Sequence, residues 1–221
     1  MESLSNGHGD WQDTSFEITS ETAPRRRWHA AYHDVRRFSL RDDQFGAGYV
    51  HPLTSRVTVS VEGQGSVSHQ IVPRLQLGGR VDANVGGGWV VNTGLSERRY
   101  DNGTVRILNA GVDRYAGSLR LAYTAYNAFV ADAGHSMSHA ATIDHSYGAG
   151  EENLLGLTVS AGRELEQDVR AALRVSRIRA VSLRGRHWLG PRIGLFYTIG
   201  VHEQGSLYTR RGATAGIAGR F

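Results

Sequence analysis

Apolar and polar residues alternate with a period of two over most of the chain. From Arg56 to Ser68, Val57, Val59, Val61, Gly63, Gly65 and Val67 alternate with Thr58, Ser60, Glu62, Gln64, Ser66 and Ser68. Successive side chains of a strand point to opposite faces, so this pattern predicts a strand with one apolar and one polar face. Leu75, Leu77, Gly79, Val81, Ala83 and Val85 repeat it against Arg74, Gln76, Gly78, Arg80, Asp82 and Asn84. Trp89–Tyr100, Ser118–Phe129, Leu154–Leu165 and Arg192–His202 follow the same rule. Less regular strands are predicted at Trp28–Phe38, Gln44–His51, Thr104–Arg114, Met137–Gly148, Val175–Trp188 and Leu207–Phe221. Between them stand tight-turn signals: Gly86-Gly87-Gly88, Asp101-Asn102-Gly103, Tyr115-Ala116-Gly117, Gly148-Ala149-Gly150 and Leu189-Gly190-Pro191. Longer polar gaps fall near Val130–Ser136 and Glu166–Arg174.

The predicted strands run to about 10–13 residues, beyond the usual 5–6 of soluble sheets and close to the 9–11 that cross a bilayer at a tilt. Long strands, each apolar on one side and polar on the other, fit a transmembrane barrel with lipid outside and a polar interior. A soluble sandwich with one buried face is the competing reading of the alternation. Trp28, Tyr49, Trp89, Tyr100, Tyr115, Tyr147, Trp188 and Tyr208 sit near strand ends, as interfacial aromatics do.

Composition narrows the reading. Apolar residues make up 40% of the 221 positions, with 28 glycines and no cysteine. Mean hydropathy is −0.36, as expected where only alternate residues meet lipid. Absence of cysteine excludes a disulfide scaffold, a zinc finger and a thiol enzyme. No apolar run is long enough for a transmembrane helix. The opening residues, Met1 to Asp10, lack a basic and apolar signal, so an exported protein would carry its signal peptide outside this sequence. The net charge is +4 and all 25 basic residues are arginine. That balance suits an anionic membrane surface or nucleic acid. Arg25-Arg26-Arg27 and the arginines of 177–186 could meet phosphates, but no recognition helix or stacking motif accompanies them. Nucleic acid is therefore not an expected partner.

Several segments together resemble a known family. They are Gly46-Ala47-Gly48-Tyr49-Val50-His51-Pro52-Leu53; Gly88-Trp89-Val90-Val91-Asn92-Thr93-Gly94 with Arg99-Tyr100-Asp101; and Asn109-Ala110-Gly111-Val112-Asp113-Arg114-Tyr115-Ala116-Gly117. Gly162-Arg163-Glu164-Leu165-Glu166, Arg186-His187-Trp188-Leu189 and the final Arg220-Phe221 complete the set. From about residue 16 onward the chain resembles the YaiO family of outer-membrane β-barrels. The resemblance implies a barrel in the bacterial outer membrane and a link to exopolysaccharide or its export machinery. It supplies no catalytic residue and no cofactor.

The expected architecture is all-β: a transmembrane antiparallel up-and-down β-barrel of about twelve strands, with fourteen as the alternative. Residues 1–27 are expected to form a periplasmic lead or partial plug, and residues 28–221 the barrel. An arginine at the lipid midplane costs roughly 2–4 kcal/mol, so charges within strands should face inward. The lumen-lining candidates are Glu62, Arg80, Asp82, Arg98, Asp113, Arg120, Glu164, Glu166, Arg184, Arg186 and Arg210. His135, His139 and His145 cluster around one expected outer loop and strand, with His139 and His145 on one face, which argues against converging metal ligands. Ser138-His139 invites a hydrolase reading, yet no nucleophile elbow or orienting acid accompanies it. The function expected is a narrow channel or assembly component of exopolysaccharide export, without enzymatic activity. A closed structural or receptor-like barrel is the first alternative, and a membrane-embedded lipid hydrolase the second. Outer-membrane lipid and lipopolysaccharide are the expected surroundings.

Overall fold

The computed structural model describes residues 1–5, 10–130, 134–167 and 173–220. Fourteen strands form one antiparallel sheet. They are β1 (Glu2–Leu4), β2 (Gln12–Ala23), β3 (Arg26–Arg37), β4 (Leu40–Pro52), β5 (Val57–Ser66), β6 (Leu75–Gly86) and β7 (Trp89–Tyr100). The second half holds β8 (Gly103–Ala116), β9 (Leu119–Val130), β10 (Gly134–Tyr147), β11 (Asn153–Gln167), β12 (Leu173–Trp188), β13 (Ile193–Gln204) and β14 (Tyr208–Gly219). Each of β2 to β14 pairs with its sequence neighbour, and β1 returns to pair with β14. The result is an up-and-down, nearly closed barrel. Glu2 pairs with Gly212 on one side and bridges Trp11 on the other. The Met1 amine donates to the Ala213 carbonyl at 2.8 Å.

The count is fourteen, the alternative to twelve, because β1 and β2 belong to the wall. In β2, Phe16 and Ile18 lie exposed on one face, while Glu17 and Thr19 register with Ala31 and His29 of β3. Residues 1–27 are therefore not a separate lead ahead of a barrel at 28–221.

The alternation closes the barrel with apolar residues outward. Val61, Leu77, Val81, Leu95, Leu121, Leu157, Val181 and Ile199 are all exposed large hydrophobics. A soluble sandwich would bury that face; here the buried positions lie on the opposite one. The connections at one rim are short: 24–25, 53–56, 87–88, 117–118, 148–152 and 189–192. The longest described connection, 67–74, stands at the other rim, together with the two-residue turns 38–39 and 101–102. Of the polar gaps anticipated near 130–136 and 166–174, Val130 ends β9, Gly134 to Ser136 open β10, β11 runs to Gln167 and β12 begins at Leu173; residues 131–133 and 168–172 lie outside the described residues. Gly86, Gly87 and Gly88 have φ of 95°, 58° and 79°, the left-handed region that a tight β6–β7 turn needs. The aromatics divide by parity. Trp28, Tyr49, Trp89 and Tyr147 are exposed at the short-turn rim, while Tyr208 packs against the buried Trp11.

Candidate functional site

The inner face is continuous from strand to strand. Ser60 registers with Arg80, Arg80 with Gly94, Gly94 with Asn109 and Asn109 with Tyr126. By the same register Glu62, Asp82, Arg98, Asp113, Arg120, Glu164, Arg184, Arg186 and Arg210 share this face. The side chain of Glu166 lies outside what is described.

Near the short-turn rim these groups form a charge belt. Arg120 donates to Asp113 at 2.6 Å and to Asp144 at 2.8 Å. Arg184 reaches the same Asp144 from the other side, through Nη2 at 2.7 and 2.8 Å. Asn92 Nδ2 donates to Asp113 at 3.0 Å, and Arg80 pairs with Asp82 at 2.8 Å. Asp144 and Asp113 are almost completely buried, so their negative charge is compensated by guanidinium groups rather than by water. Glycine makes this spacing work. Gly156 lies between Asp144 and Arg184 in register, and a Cβ there would collide with Asp144 Oδ1 and Arg184 Nε.

Further up the wall the belt opens into a cavity of about 300 Å³, lined by Glu62, Gln76, Ser96, Arg98, Asn109 and Tyr126, among others. Arg98 Nε and Asn109 Oδ1 are buried and, among the described residues, have no hydrogen-bond partner. A second cavity of about 210 Å³ lies against β12–β14, beside Glu2, His202 and Arg210.

The long-loop rim is packed. Trp11, Val35, Val72, Val105, Val130 and Ile178 are buried apolar residues there. Asp42, fully buried, accepts the backbone N–H groups of Gln70, Ile71 and Val72 at 3.0, 2.6 and 3.0 Å. Because Asp42 shares the inner face with Gln44 and Val35, this ties the 67–74 connection to the inner wall. Trp11 stands edge-on to Phe38 and Tyr208 at 5.3 and 5.8 Å. Arg37 and Arg210 lie over its ring at 4.4 and 5.1 Å.

Sequence reading missed several inward charges. Asp144, the centre of the belt, shares parity with Ser136 and Ser138 and was within reach of the alternation. Glu2, Asp13, Glu17 and Glu21 were not, because residues 1–27 read as a lead. They register on the inner face through β14 and β3.

The hydrolase pairing is not formed. Ser138 is buried on the inner face and donates to Glu164 at 3.3 Å. His139 is on the outer face, bonded to the Tyr123 hydroxyl at 2.7 Å. His135 and His145 share the outer parity of His139. Among the described residues no cluster of three or more ligand-type side chains could hold a metal ion.

The model of the YaiO membrane beta barrel domain matches residues 1–167. The chain belongs to this family. No curated protein matches the sequence. Among solved structures, this YaiO-family barrel superimposes on a KdgM porin with a TM-score of 0.52 and 12% identity, covering 96% of this chain and 99% of that one. A KdgM porin in complex with disordered oligogalacturonate gives 0.51 and 11%, with the same coverage. The translocator domain of the autotransporter NalP from Neisseria meningitidis gives 0.50 and 11%, over 96% of this chain and 80% of that one. At these identities the likeness is one of fold.

Proposed function

We propose that this protein is a narrow channel of the bacterial outer membrane for polar, saccharide-class solutes, serving exopolysaccharide export. The observation that carries the reading is the inner-wall cavity where Arg98 Nε and Asn109 Oδ1 lack partners beside Glu62, Gln76, Ser96 and Tyr126. A sugar ring offers hydroxyls that both donate and accept, and it stacks on aromatic faces. Amide, guanidinium, carboxylate and phenol groups together match that chemistry. Likeness of fold to a porin captured with an oligogalacturonate supports the class. The link to export rests on the family alone. In this reading the rim of the 67–74 connection faces outside the cell and the rim of 87–88 and 117–118 the periplasm, since longer loops are extracellular in such barrels.

Conductance across planar bilayers tests the channel. Folded protein is expected to give small discrete steps, reduced by acidic oligosaccharides. Arg98→Gln should weaken that block several-fold while leaving the protein folded. A barrel that is folded yet electrically silent overturns the reading. It would favour a closed, receptor-like barrel, which the packed long-loop rim around Trp11 also supports.

A further inference from the structure

The outer wall carries a ring of charge where its apolar band ends toward the long-loop rim. In two sectors, at β3–β4 and β7–β8, these charges neutralise one another. Asp34 holds both Arg36 and Arg41, at 2.9 and 2.6 Å. Glu97 holds both Arg99 and Arg106, at 2.7 and 2.8 Å. The sector from β11 to β14 is different. Arg163, Arg177, Arg179 and Arg211 lie there on the outer face, all exposed, with Glu203 across from Arg179. Among the described residues none of these four side chains makes an ion pair or a hydrogen bond. Arg163 and Arg177 stand directly opposite each other across the β11–β12 ladder, an arrangement that repels and destabilises a sheet. Arg177 and Arg179 add to it from the same face. Immediately toward the membrane centre from Arg163, Arg177 and Arg179 the wall turns apolar, with Val159, Val181 and Val201 exposed, and Arg211 flanks Val201.

We propose that this patch binds the phosphates of a phosphorylated glycolipid in the outer leaflet. Guanidinium groups pair bidentately with phosphate, and a dianion between opposed arginines turns their repulsion into attraction. The acyl chains of the same molecule would lie along the apolar wall beneath. The inference rests on the outer-membrane location proposed above and not on an open lumen. A silent barrel therefore leaves it intact.

The test uses the full chain in a non-ionic detergent, with native mass spectrometry to count bound lipid. The probes are bisphosphorylated lipid A, enzymatically dephosphorylated lipid A and inorganic phosphate. Bisphosphorylated lipid A is expected to bind at least tenfold more tightly than the dephosphorylated form. The double variant Arg177→Gln/Arg179→Gln should lose that preference, and Arg99→Gln/Arg106→Gln, on the neutralised sector, should keep it. Heat-modifiable migration in gels verifies the folding of each variant. If the double variant does not fold, Arg163→Gln is expected to lower the preference at least threefold. Equal retention of both lipids overturns the proposal. So does unchanged preference in the folded arginine variants. Competition by inorganic phosphate at the concentration of the lipid would reassign the patch to free anions and overturn the lipid site.

Discussion

At the scale of the residue, the interior is organised by charge pairs that need missing side chains between them. Asp144 on β10 and Arg184 on β12 are separated by β11, and meet only because Gly156 leaves space. Gly156→Ala is expected to displace one partner and lower stability by about 1–3 kcal/mol, the usual range for overpacking a filled site. The temperature at which the barrel loses its fast migration in detergent gels measures it. Asp144→Ala should cost roughly 1–3 kcal/mol by the same assay. This falls below the 3–5 typical of a fully buried pair, because Arg184 remains partly solvated. Gly111 has a comparable role, for a Cβ there would press on Asn92 Oδ1 and Thr124 Oγ1. Alternation made the inward charges legible in the sequence. Which acid met which arginine was not, because a cross-strand partner depends on register.

At the scale of the element, the β3–β4 turn and Trp11 decide how the barrel ends at its long-loop rim. The turn carries positive φ at Phe38 (53°) and Ser39 (64°), a backbone that glycine or asparagine normally supplies. No such residue stands there, which is why β4 was anticipated only from Gln44 and begins at Leu40. Contact of Phe38 with Trp11 holds the turn. Trp11 also touches Tyr208 at the start of β14, so one indole joins the two ends of the sheet. Trp11→Ala is expected to loosen that junction. In planar bilayers it should raise unit conductance by about twofold or more, or make a silent barrel conduct. Unchanged traces from folded protein would show that the indole does not limit passage.

At the scale of the molecule, one wall separates two environments, and substitutions should respect that division. Leu157→Arg places a guanidinium on the lipid face and should destabilise the barrel by about 2–4 kcal/mol. Thr158→Arg, one residue on and on the inner face, should cost much less. Folding titrations into lipid vesicles compare them. Equal penalties would contradict a lipid-facing exterior.

What the sequence determined by itself was the period-two alternation, hence strands, their two chemically distinct faces, and which charges turn inward. These follow from local stereochemistry, since successive side chains of any strand point opposite ways. Histidines 139 and 145 fell on one side by that rule alone. Only the tertiary structure decided the count of fourteen, the place of β1 and β2 in the wall, and the convergence on Asp144. It also decided the separation of Ser138 from His139, and the contrast between neutralised and bare arginines outside. Each depends on which strand lies beside which and in what register. Those are relations between residues up to 212 positions apart, set by closure of a hydrogen-bonded ring rather than by any local pattern.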